Sequence, residues 1–379
     1  NSYCTMSFKE FYQSFQNLVK KAPTDKLETG KRYVILSDLH MGDGGSRDDL
    51  KPNQIIVETA LEQFYLPNNY TLILNGDIED LNKFNYPAIR KAWPKLYNLF
   101  DHVAQDNRLR KIIGNHDLSL LNVKDYPYPL IHGLNIVKNE TTICVFHGHQ
   151  ASKLFSNFDY ISEFIVRYMA KPLHIKNASV AHHSKRRFSV ERKIYRAARD
   201  MGILAIIGHT HRPLFESLSK YDSLRWSIEE LLREYAVADP DRRIQIRALI
   251  DLYRSELERI SKNGKRKEIS RSLYSTDALL VPCLFNSGCA TGKQGITAIE
   301  LDGDSISLVH WSQEGKNRPY IEKEALYRDR IDQGIIRYTL KSDNLEQIGM
   351  RISLLGKRKE SETFTPPVNK ALILQTGLL

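Results

Sequence analysis

Five short polar motifs, each placed directly after a run of apolar or β-branched residues, constrain the fold of this chain more than any other feature. In chain order they read SDLH, GDIED, GNHD, HGH and GHTH, at residues 37–40, 76–80, 114–117, 147–149 and 208–211. A short apolar run that stops at such a motif is typical of a strand buried on both faces. The polar groups would then stand at strand ends, where they can meet at one edge of a sheet.

The apolar runs predict strands that alternate with helices along the first part of the chain. The predicted strands are 33–36, 71–74, 110–113, 142–146 and 204–207. Helices are predicted at 55–65 and 88–105, and residues 279–311 return to strand-like alternation. This order predicts an α/β fold whose strand ends face one cleft.

Two inserts interrupt this alternation. Residues 151–200 are aromatic and basic and predict a helical cap beside the motifs, either as a pocket for a base or acyl chain or as packing on the sheet. Residues 218–278 are rich in charge, and their apolar residues recur at helical spacing, which predicts a projecting helical hairpin. We expect one domain over residues 1–320 that contains both inserts, and a C-terminal extension over 321–379.

The composition favours phosphate-bearing partners. The formal charge is +10 and the pI is about 9.2, which suits nucleic acid, nucleotides or anionic lipid headgroups, although solubility alone is the alternative. The four cysteines form no CxxC pair, and no apolar run reaches the roughly 20 residues of a membrane span. We therefore expect a cytoplasmic protein without a transmembrane segment, with peripheral membrane contact left open.

The motifs contain the side chains that bind divalent cations in proteins. The candidate ligands are carboxylates, one amide and several imidazoles: Asp38, His40, Asp77, Asn115, His147, His209 and His211. Asp77 could bridge two ions because a carboxylate has two oxygens. Mixed oxygen and nitrogen donors suit manganese, iron or zinc better than calcium or magnesium. Two such ions, about 3.5–4 Å apart, can clamp phosphate oxygens and turn water into a nucleophile.

The series of motifs is similar to that of the calcineurin-like metallophosphoesterase superfamily, which runs D-x-H, G-D-x-x-D, G-N-H-D/E, H and G-H-x-H. The likeness covers residues 33–213 and resumes at the FNSG segment, residues 285–288. The resemblance implies a four-layer αββα sandwich, with two mixed β-sheets face to face and helices outside. It also implies two divalent metal ions, for which we expect Mn²⁺, with Fe or Zn²⁺ as alternatives.

The resemblance further implies a role for each motif residue. One ion would be held by Asp38, His40, Asp77 and His211, and the other by Asp77, Asn115, His147 and His209. His116 would be the general acid for the leaving oxygen, oriented by Asp80 or, as the alternative, by Asp117. A hydroxide that bridges the ions would attack in line. We expect His149 and Arg212 to contact the substrate, with a purely structural role as the alternative for each.

The predicted function is that of a dinuclear metal-dependent phosphodiesterase or phosphomonoesterase. His116 favours esters with alcohol leaving groups, because an alkoxide benefits from protonation more than a phosphate does. The GHTHRP segment and the helical insert also resemble bacterial UDP-diacylglucosamine pyrophosphate hydrolases, although that branch usually carries arginine where this chain has His116. Such a pyrophosphate hydrolase and a non-catalytic scaffold are the alternatives. We expect a small phosphoester, a nucleotide or a lipid headgroup as substrate, with nucleic acid also open.

Overall fold

The computed structural model describes residues 7–151, 184–263, 280–292, 295–317, 319–332 and 334–356. Its helices are α1 Phe8–Lys21, α2 Gln54–Ala60, α3 Tyr86–Ala92, α4 Pro94–Gln105, α5 Ser184–Met201, α6 Lys220–Val237, α7 Pro240–Asn263, α8 Pro319–Glu324 and α9 Leu345–Leu355. None of the described helices has both the length and the apolar character of a membrane span.

Fifteen strands lie within these described residues and form two sheets. They are β1 Thr24–Lys26, β2 Arg32–Leu36, β3 Tyr70–Asn75, β4 Leu109–Ile112, β5 Leu130–Ile131, β6 Leu134–Lys138, β7 Thr141–Val145, β8 Leu204–Ile207, β9 Leu214–Phe215, β10 Leu218–Ser219, β11 Leu284–Asn286, β12 Ile296–Asp302, β13 Ser305–Gln313, β14 Tyr327–Arg330 and β15 Ile335–Asn344.

Both sheets are mixed. The seven-stranded sheet has the order β1-β6-β7-β8-β11-β9-β10, and the eight-stranded sheet has the order β14-β15-β13-β12-β2-β3-β4-β5. In the first sheet β7 and β8 are parallel while β6 and β7 are antiparallel. In the second, β2, β3 and β4 are parallel while β12 runs antiparallel to β2.

The side chains of β2 show how the layers stack. Tyr33 and Ile35 belong to the core cluster that contains the strands of the seven-stranded sheet, whereas Val34 and Leu36 belong to the cluster around α2 and α4. Successive side chains of a strand point to opposite faces, so the eight-stranded sheet is covered on both. On the far side, α5 and α9 pack on β8 and β7. The predicted α/β sandwich of two mixed sheets is confirmed.

Each of the five motifs begins within two residues of the carboxyl end of a strand. The strands concerned are β2, β3, β4, β7 and β8. All five overlap the strands predicted from the apolar runs, and β8 has the predicted bounds. The predicted helix at 88–105 differs, because it is divided into α3 and α4 at Trp93. Proline disfavours helical backbone in the residue before it, and Pro94 follows Trp93, whose φ is −118°.

The two predicted inserts are only partly described. Of the cap at 151–200, residues 152–183 lie outside the described residues, and the rest is mainly α5, which packs on β8. The predicted hairpin at 218–278 contains α6 and α7, which pack against each other and are joined by two residues. Ile246 and Tyr253, from the predicted apolar face of α7, are buried. Residues 264–279 lie outside the described part.

The chain after residue 320 adds more regular structure than its polar composition indicated. Strands β14 and β15 extend the eight-stranded sheet, and α9 places Leu345, Ile348 and Ile352 in the core. The buried Glu300 on β12 binds Arg337 on β15 and accepts a hydrogen bond from Tyr65. The predicted boundary at 320 falls within α8 and stays a prediction. Residues 357–379 lie outside the described residues.

Candidate active site

The motif loops hold their metal-ligand candidates in a backbone conformation that non-glycine residues rarely adopt. A positive φ of 50–63° occurs at Asp38, His40, Asp77, His209 and His211. Such conformations cost on the order of 1–3 kcal/mol each and persist where the surroundings enforce them. The N–H of Asp38 donates to the carbonyl of Gly76, and the N–H of His40 donates to that of Asp77, both at 3.0 Å. These bonds lock the first two loops together and direct their side chains to one place.

Two glycines allow the loops to approach each other this closely. A Cβ atom at Gly114 would lie 2.2 Å from Oδ1 and 2.3 Å from the backbone nitrogen of Asp77. A Cβ atom at Gly208 would lie 2.6 Å from Oδ2 of Asp38. Since real Cβ atoms do not pack at such distances, the glycines of GNHD and GHTH are required by the contact with Asp77 and Asp38.

The first cluster of candidate ligands contains Asp38, His40 and His211, whose donor atoms all lie within 4.8 Å of one another. Nε2 of His211 is 3.0 Å from Oδ1 of Asp38 and 3.2 Å from Nε2 of His40. Nε2 of His40 is also 4.0 Å from Oδ2 of Asp77. The four residues that were predicted to hold one metal ion therefore lie together.

The second cluster contains Asp77, His147 and His209, again within 4.8 Å. Nε2 of His147 lies 3.2 Å from Oδ2 of Asp77. Nδ1 of His147 lies 2.8 Å from the carbonyl oxygen of Asn75. Because a carbonyl only accepts, Nδ1 carries the hydrogen and Nε2 faces the cluster.

Asp77 is shared between the clusters through one oxygen. Its Oδ2 faces both His40 and His147, while its Oδ1 accepts the backbone N–H of His116 at 2.7 Å. Oδ1 thus also holds the GNHD loop, while Oδ2 faces both ligand clusters. Bridging of two ions by Asp77 stays a prediction.

The remaining candidates have buried donor atoms without a hydrogen-bond partner in the described structure. These atoms are Oδ1 of Asn115 and Nε2 of His209. Leaving such atoms unsatisfied inside a protein costs on the order of 1–3 kcal/mol each. A cation within the second cluster would satisfy Nε2 of His209, so the donor set fits a metal ion there. Ligation by Asn115 stays a prediction.

The four imidazoles among the candidate ligands differ in protonation. Burial opposes the charged form, yet nearby carboxylates raise the pKa of His147 to about 9 and that of His211 well above its ordinary value. Burial lowers the pKa of His209 to about 3 and that of His40 to about 4, so both imidazoles are neutral. Burial alone would raise the pKa of Asp38, but His211 and His147 outweigh it and lower that pKa to about 2. Metals bind ionised carboxylates and neutral imidazoles, so ion binding would displace the protons of His147 and His211.

His116 and Asp80 form a hydrogen-bonded pair beside the clusters. Nδ1 of His116 lies 3.0 Å from Oδ1 of Asp80, and Nζ of Lys83 lies 2.9 Å from the other oxygen of Asp80. The rings of His116 and His40 are 4.6 Å apart and perpendicular. Burial opposes the charged imidazole, yet Asp77 and Asp80 raise the pKa of His116 above its ordinary value. The ring is thus arranged to hold a proton on Nε2.

Asp117, the alternative partner of His116, lies in a buried ion cluster that the sequence interpretation missed. Nζ of Lys111, which is fully buried, is 2.6 Å from Oδ2 of Asp117 and 2.8 Å from Oε2 of Glu79. Asp117 also accepts the backbone N–H groups of Gly114 and Ile78. The ion cluster therefore connects the GNHD motif to the GDIED motif. The sequence signal for this ion cluster was Lys111, a lysine that stands in the apolar run KII directly before GNHD.

The two residues that were predicted to contact the substrate both lie against other side chains of the protein. His149 is buried, its ring 5.4 Å from that of His147. Arg212 is about one-third exposed and pairs with the buried Glu191 on α5, which also accepts the hydroxyl of Thr210. This pairing ties the GHTH loop to α5. Contact of His149 and Arg212 with substrate stays a prediction.

The FNSG segment supports the motif loops from β11. The side-chain amide of Asn286 donates to the carbonyl of Gly208 at 3.0 Å and to the hydroxyl of Thr210 at 2.8 Å. The hydroxyls of Ser287 and Ser37 are hydrogen-bonded at 2.7 Å. This segment therefore fixes SDLH and GHTH relative to each other.

Comparison with known proteins identifies a family for this chain. A family model of calcineurin-like phosphoesterases matches residues 31–237, more than half of the 379 residues. Among solved structures, the chain is similar to YfcE, a phosphoesterase from E. coli, with 12% identity over 73% of this chain and 91% of that chain and a TM-score of 0.31. A search among proteins of curated function gave no match.

Proposed function

The chain belongs to the calcineurin-like phosphoesterase family and is a metal-dependent phosphoester hydrolase, and we propose that its substrates are phosphomonoesters or phosphodiesters with alcohol leaving groups. The observation that carries this proposal is the position of the His116–Asp80 pair next to two ligand clusters, both of which face Oδ2 of Asp77. A general acid beside such clusters serves a leaving group that is a strong base, such as an alkoxide.

We assign the ligands of the two ions as the sequence predicted. One ion would be held by Asp38, His40, Asp77 and His211, and the other by Asp77, Asn115, His147 and His209. A pair of divalent cations supplies charge stabilisation to a phosphoryl group and makes water nucleophilic near neutral pH. We propose Mn²⁺ for both positions, with Fe or Zn²⁺ as alternatives, because the donors are imidazoles and oxygens.

The protein's own contribution to the reaction is positioning and proton transfer. Asp80 accepts the Nδ1–H of His116, which fixes the ring and leaves the Nε2–H to be donated to the leaving oxygen. Lys83 holds the second oxygen of Asp80 and keeps that carboxylate ionised. Loss of the proton converts His116 to the neutral imidazole, which must be protonated again before the next turnover.

The two alternative functions are less well supported. A pyrophosphate hydrolase releases a phosphate that needs little protonation, so the His116–Asp80 pair would have no evident use. A scaffold without activity would not need a hydrogen-bonded His116–Asp80 pair beside the ligand clusters. The described cysteines, Cys144, Cys283 and Cys289, are free thiols, which supports the proposed cytoplasmic location.

Hydrolysis of p-nitrophenyl phosphate and bis-p-nitrophenyl phosphate with Mn²⁺ tests the proposal. Asp77→Asn is expected to lower kcat/KM about 100-fold or more, since even changes in groups that only support metal ligands cost about 10- to 100-fold. Asp43→Asn is the matched control, because Asp43 is exposed and accepts only the nearby N–H of Gly45 among the described hydrogen bonds. Equal activity of the two variants, or no turnover by the unmodified enzyme with Mn²⁺, Fe²⁺ or Zn²⁺, would overturn the proposal.

A further inference from the structure

A cavity of about 850 Å³ opens beside the second and third motifs. Its walls are mainly apolar and include Leu81, Phe84, Tyr86 and Val123. These residues come from the segment after GDIED and the segment after GNHD. The cavity is therefore built from the two chain segments that directly continue the loops of Asp80 and His116.

The wall of the cavity is hydrogen-bonded to the backbone of the His116–Asp80 pair. Leu81 follows Asp80, and its backbone N–H donates to the carbonyl oxygen of His116 at 3.1 Å. The N–H of Phe84 donates to the carbonyl oxygen of Asp80 at 3.0 Å. Phe84 also covers Gly42, where a Cβ atom would lie 2.6 Å from its ring. Two residues of the cavity wall, Leu81 and Phe84, are therefore fixed by the backbone of His116 and Asp80.

The charges around the cavity are positive. Arg90, Lys91 and Lys124 line it, and no aspartate or glutamate is among its described lining residues. Arg90 is already held by Asp101 and by the hydroxyl of Tyr86, each at 3.4 Å. Lys91 and Lys124 are exposed and form no ion pair within the described ranges. Two cations at the rim of an apolar cavity complement a ligand that is apolar in its middle and anionic at its far end.

We infer that this cavity binds the leaving alcohol of the substrate, and that this alcohol carries an apolar ring and a second anionic group. The ring packs on Phe84 and Tyr86, and the anion is bound by Lys91 and Lys124. The inference rests on the proposed function, because it is His116 that places the leaving oxygen at this wall. It narrows the substrates to phosphoesters of anionic, ring-bearing alcohols.

Benzyl and 4-carboxybenzyl esters test this inference, because their alcohols have similar basicity and differ in one remote carboxylate. Each is prepared as the phosphomonoester and as the methyl phosphodiester. Release of the benzyl alcohol can then be measured whether the enzyme prefers monoesters or diesters. We expect kcat/KM to be about fivefold higher for the 4-carboxybenzyl ester, the upper end for a solvent-exposed ion pair. The preference is expected to vanish in the variant Lys91→Ala/Lys124→Ala.

The control is Lys9→Ala/Lys20→Ala, which removes the same charge from exposed positions on α1. This variant is expected to keep the fivefold preference. Equal rates for the two esters in the unmodified enzyme, or a preference that survives in Lys91→Ala/Lys124→Ala, would overturn the inference. If p-nitrophenyl esters are hydrolysed but the two benzyl esters react at equal rates, the proposed function stands and only the assignment of the cavity is overturned.

A binding measurement tests the cavity even if no ester is hydrolysed. Free 4-(hydroxymethyl)benzoate is titrated into the enzyme and followed by ligand-observed NMR. We expect binding that is about fivefold weaker in Lys91→Ala/Lys124→Ala than in Lys9→Ala/Lys20→Ala. Equal binding by the two variants, or no binding by the unmodified enzyme, contradicts the inference.

Discussion

Nε2 of His40 and Nε2 of His211 lie 3.2 Å apart, although 171 residues separate them along the chain. Two ring nitrogens at this distance are favourable only when a proton or a cation lies between their lone pairs. Burial keeps His40 neutral, so its nitrogen accepts. The oxygen of Asp38 lies 3.0 Å from the same nitrogen of His211. Asp38 raises the pKa of His211, so three donors from distant segments converge on a position that a proton or a divalent cation can fill.

The role of His116 predicts a dependence on the leaving group. We expect His116→Ala to lower kcat/KM about 100- to 10 000-fold for an alkyl phosphoester, the usual range for loss of a general acid. The loss is expected to be much smaller for a p-nitrophenyl ester, whose leaving group needs little protonation. His102→Ala, on the exposed side of α4, is the matched control. Equal losses with both leaving groups would show that His116 is not the acid.

The buried ion cluster below the motifs predicts a large effect on stability. Lys111→Met leaves Glu79 and Asp117 as buried carboxylates without their cation. We expect the free energy of unfolding to fall by about 3–5 kcal/mol in urea denaturation, as for other broken buried pairs. Lys95→Met is the control, because Lys95 is half exposed and its pairs with Glu62 and Glu58 are worth about 1 kcal/mol or less. Similar small losses in both variants would contradict this account.

The close approach of GNHD to GDIED predicts that Gly114→Ala inactivates the enzyme. The added Cβ would overlap Oδ1 and the backbone nitrogen of Asp77, so Asp77 must move. A misplacement of about 1 Å at a reacting site can cost about 100-fold in rate, and we expect kcat/KM to fall by that much. Gly133→Ala is the control, since the nearest atoms there, in Leu18 and Val145, are 3.3 Å away and need to move by only a few tenths of an ångström. An active Gly114→Ala enzyme would argue against the required contact.

The raised pKa of Glu216, which is not a candidate metal ligand, predicts that the stability of the protein depends on pH. Burial and the neighbouring Asp343 raise the pKa of Glu216 to about 7, although Arg351 lies 2.6 Å away. The folded protein therefore keeps this proton to a higher pH than the unfolded chain. The contribution of Glu216 to the free energy of unfolding is fully present below its ordinary pKa of 4.5. It is lost as the pH rises through about 7.

Glu216→Gln removes this titration. We expect the Tm of the unmodified protein, relative to that of Glu216→Gln, to fall between about pH 5 and about pH 8. Glu346→Gln, at an exposed position on α9, is the control and is expected to show no such trend. A difference in Tm that does not change with pH would show that the pKa of Glu216 is not raised.

The sequence predicted the strands that carry the motifs because each is an apolar run that ends at a polar residue. It also predicted which side chains meet, because the carboxyl ends of parallel strands such as β2 and β3 lie at one edge of a sheet. Strands β14 and β15 were not predicted. The reason is visible in β14, whose residues YRDR are mostly exposed and carry no apolar pattern.

Other features of the site depend on contacts between distant segments and have no local signal. The positive φ of Asp38 and Asp77 accompanies hydrogen bonds between two loops. Residue propensities describe each loop alone and do not include such bonds. The pairing of Arg212 with Glu191 depends on where α5 packs. Local patterns therefore indicated the candidate ligands, whereas the groups that hold these side chains in place required the structure.

Anomalous diffraction from crystals soaked in Mn²⁺ tests the central claim most directly, because it locates each ion without relying on activity. We predict two manganese peaks. One should lie among Asp38, His40 and His211, the other between His147 and His209, and both should touch Oδ2 of Asp77. A single peak, or manganese bound only away from these side chains, would contradict the account.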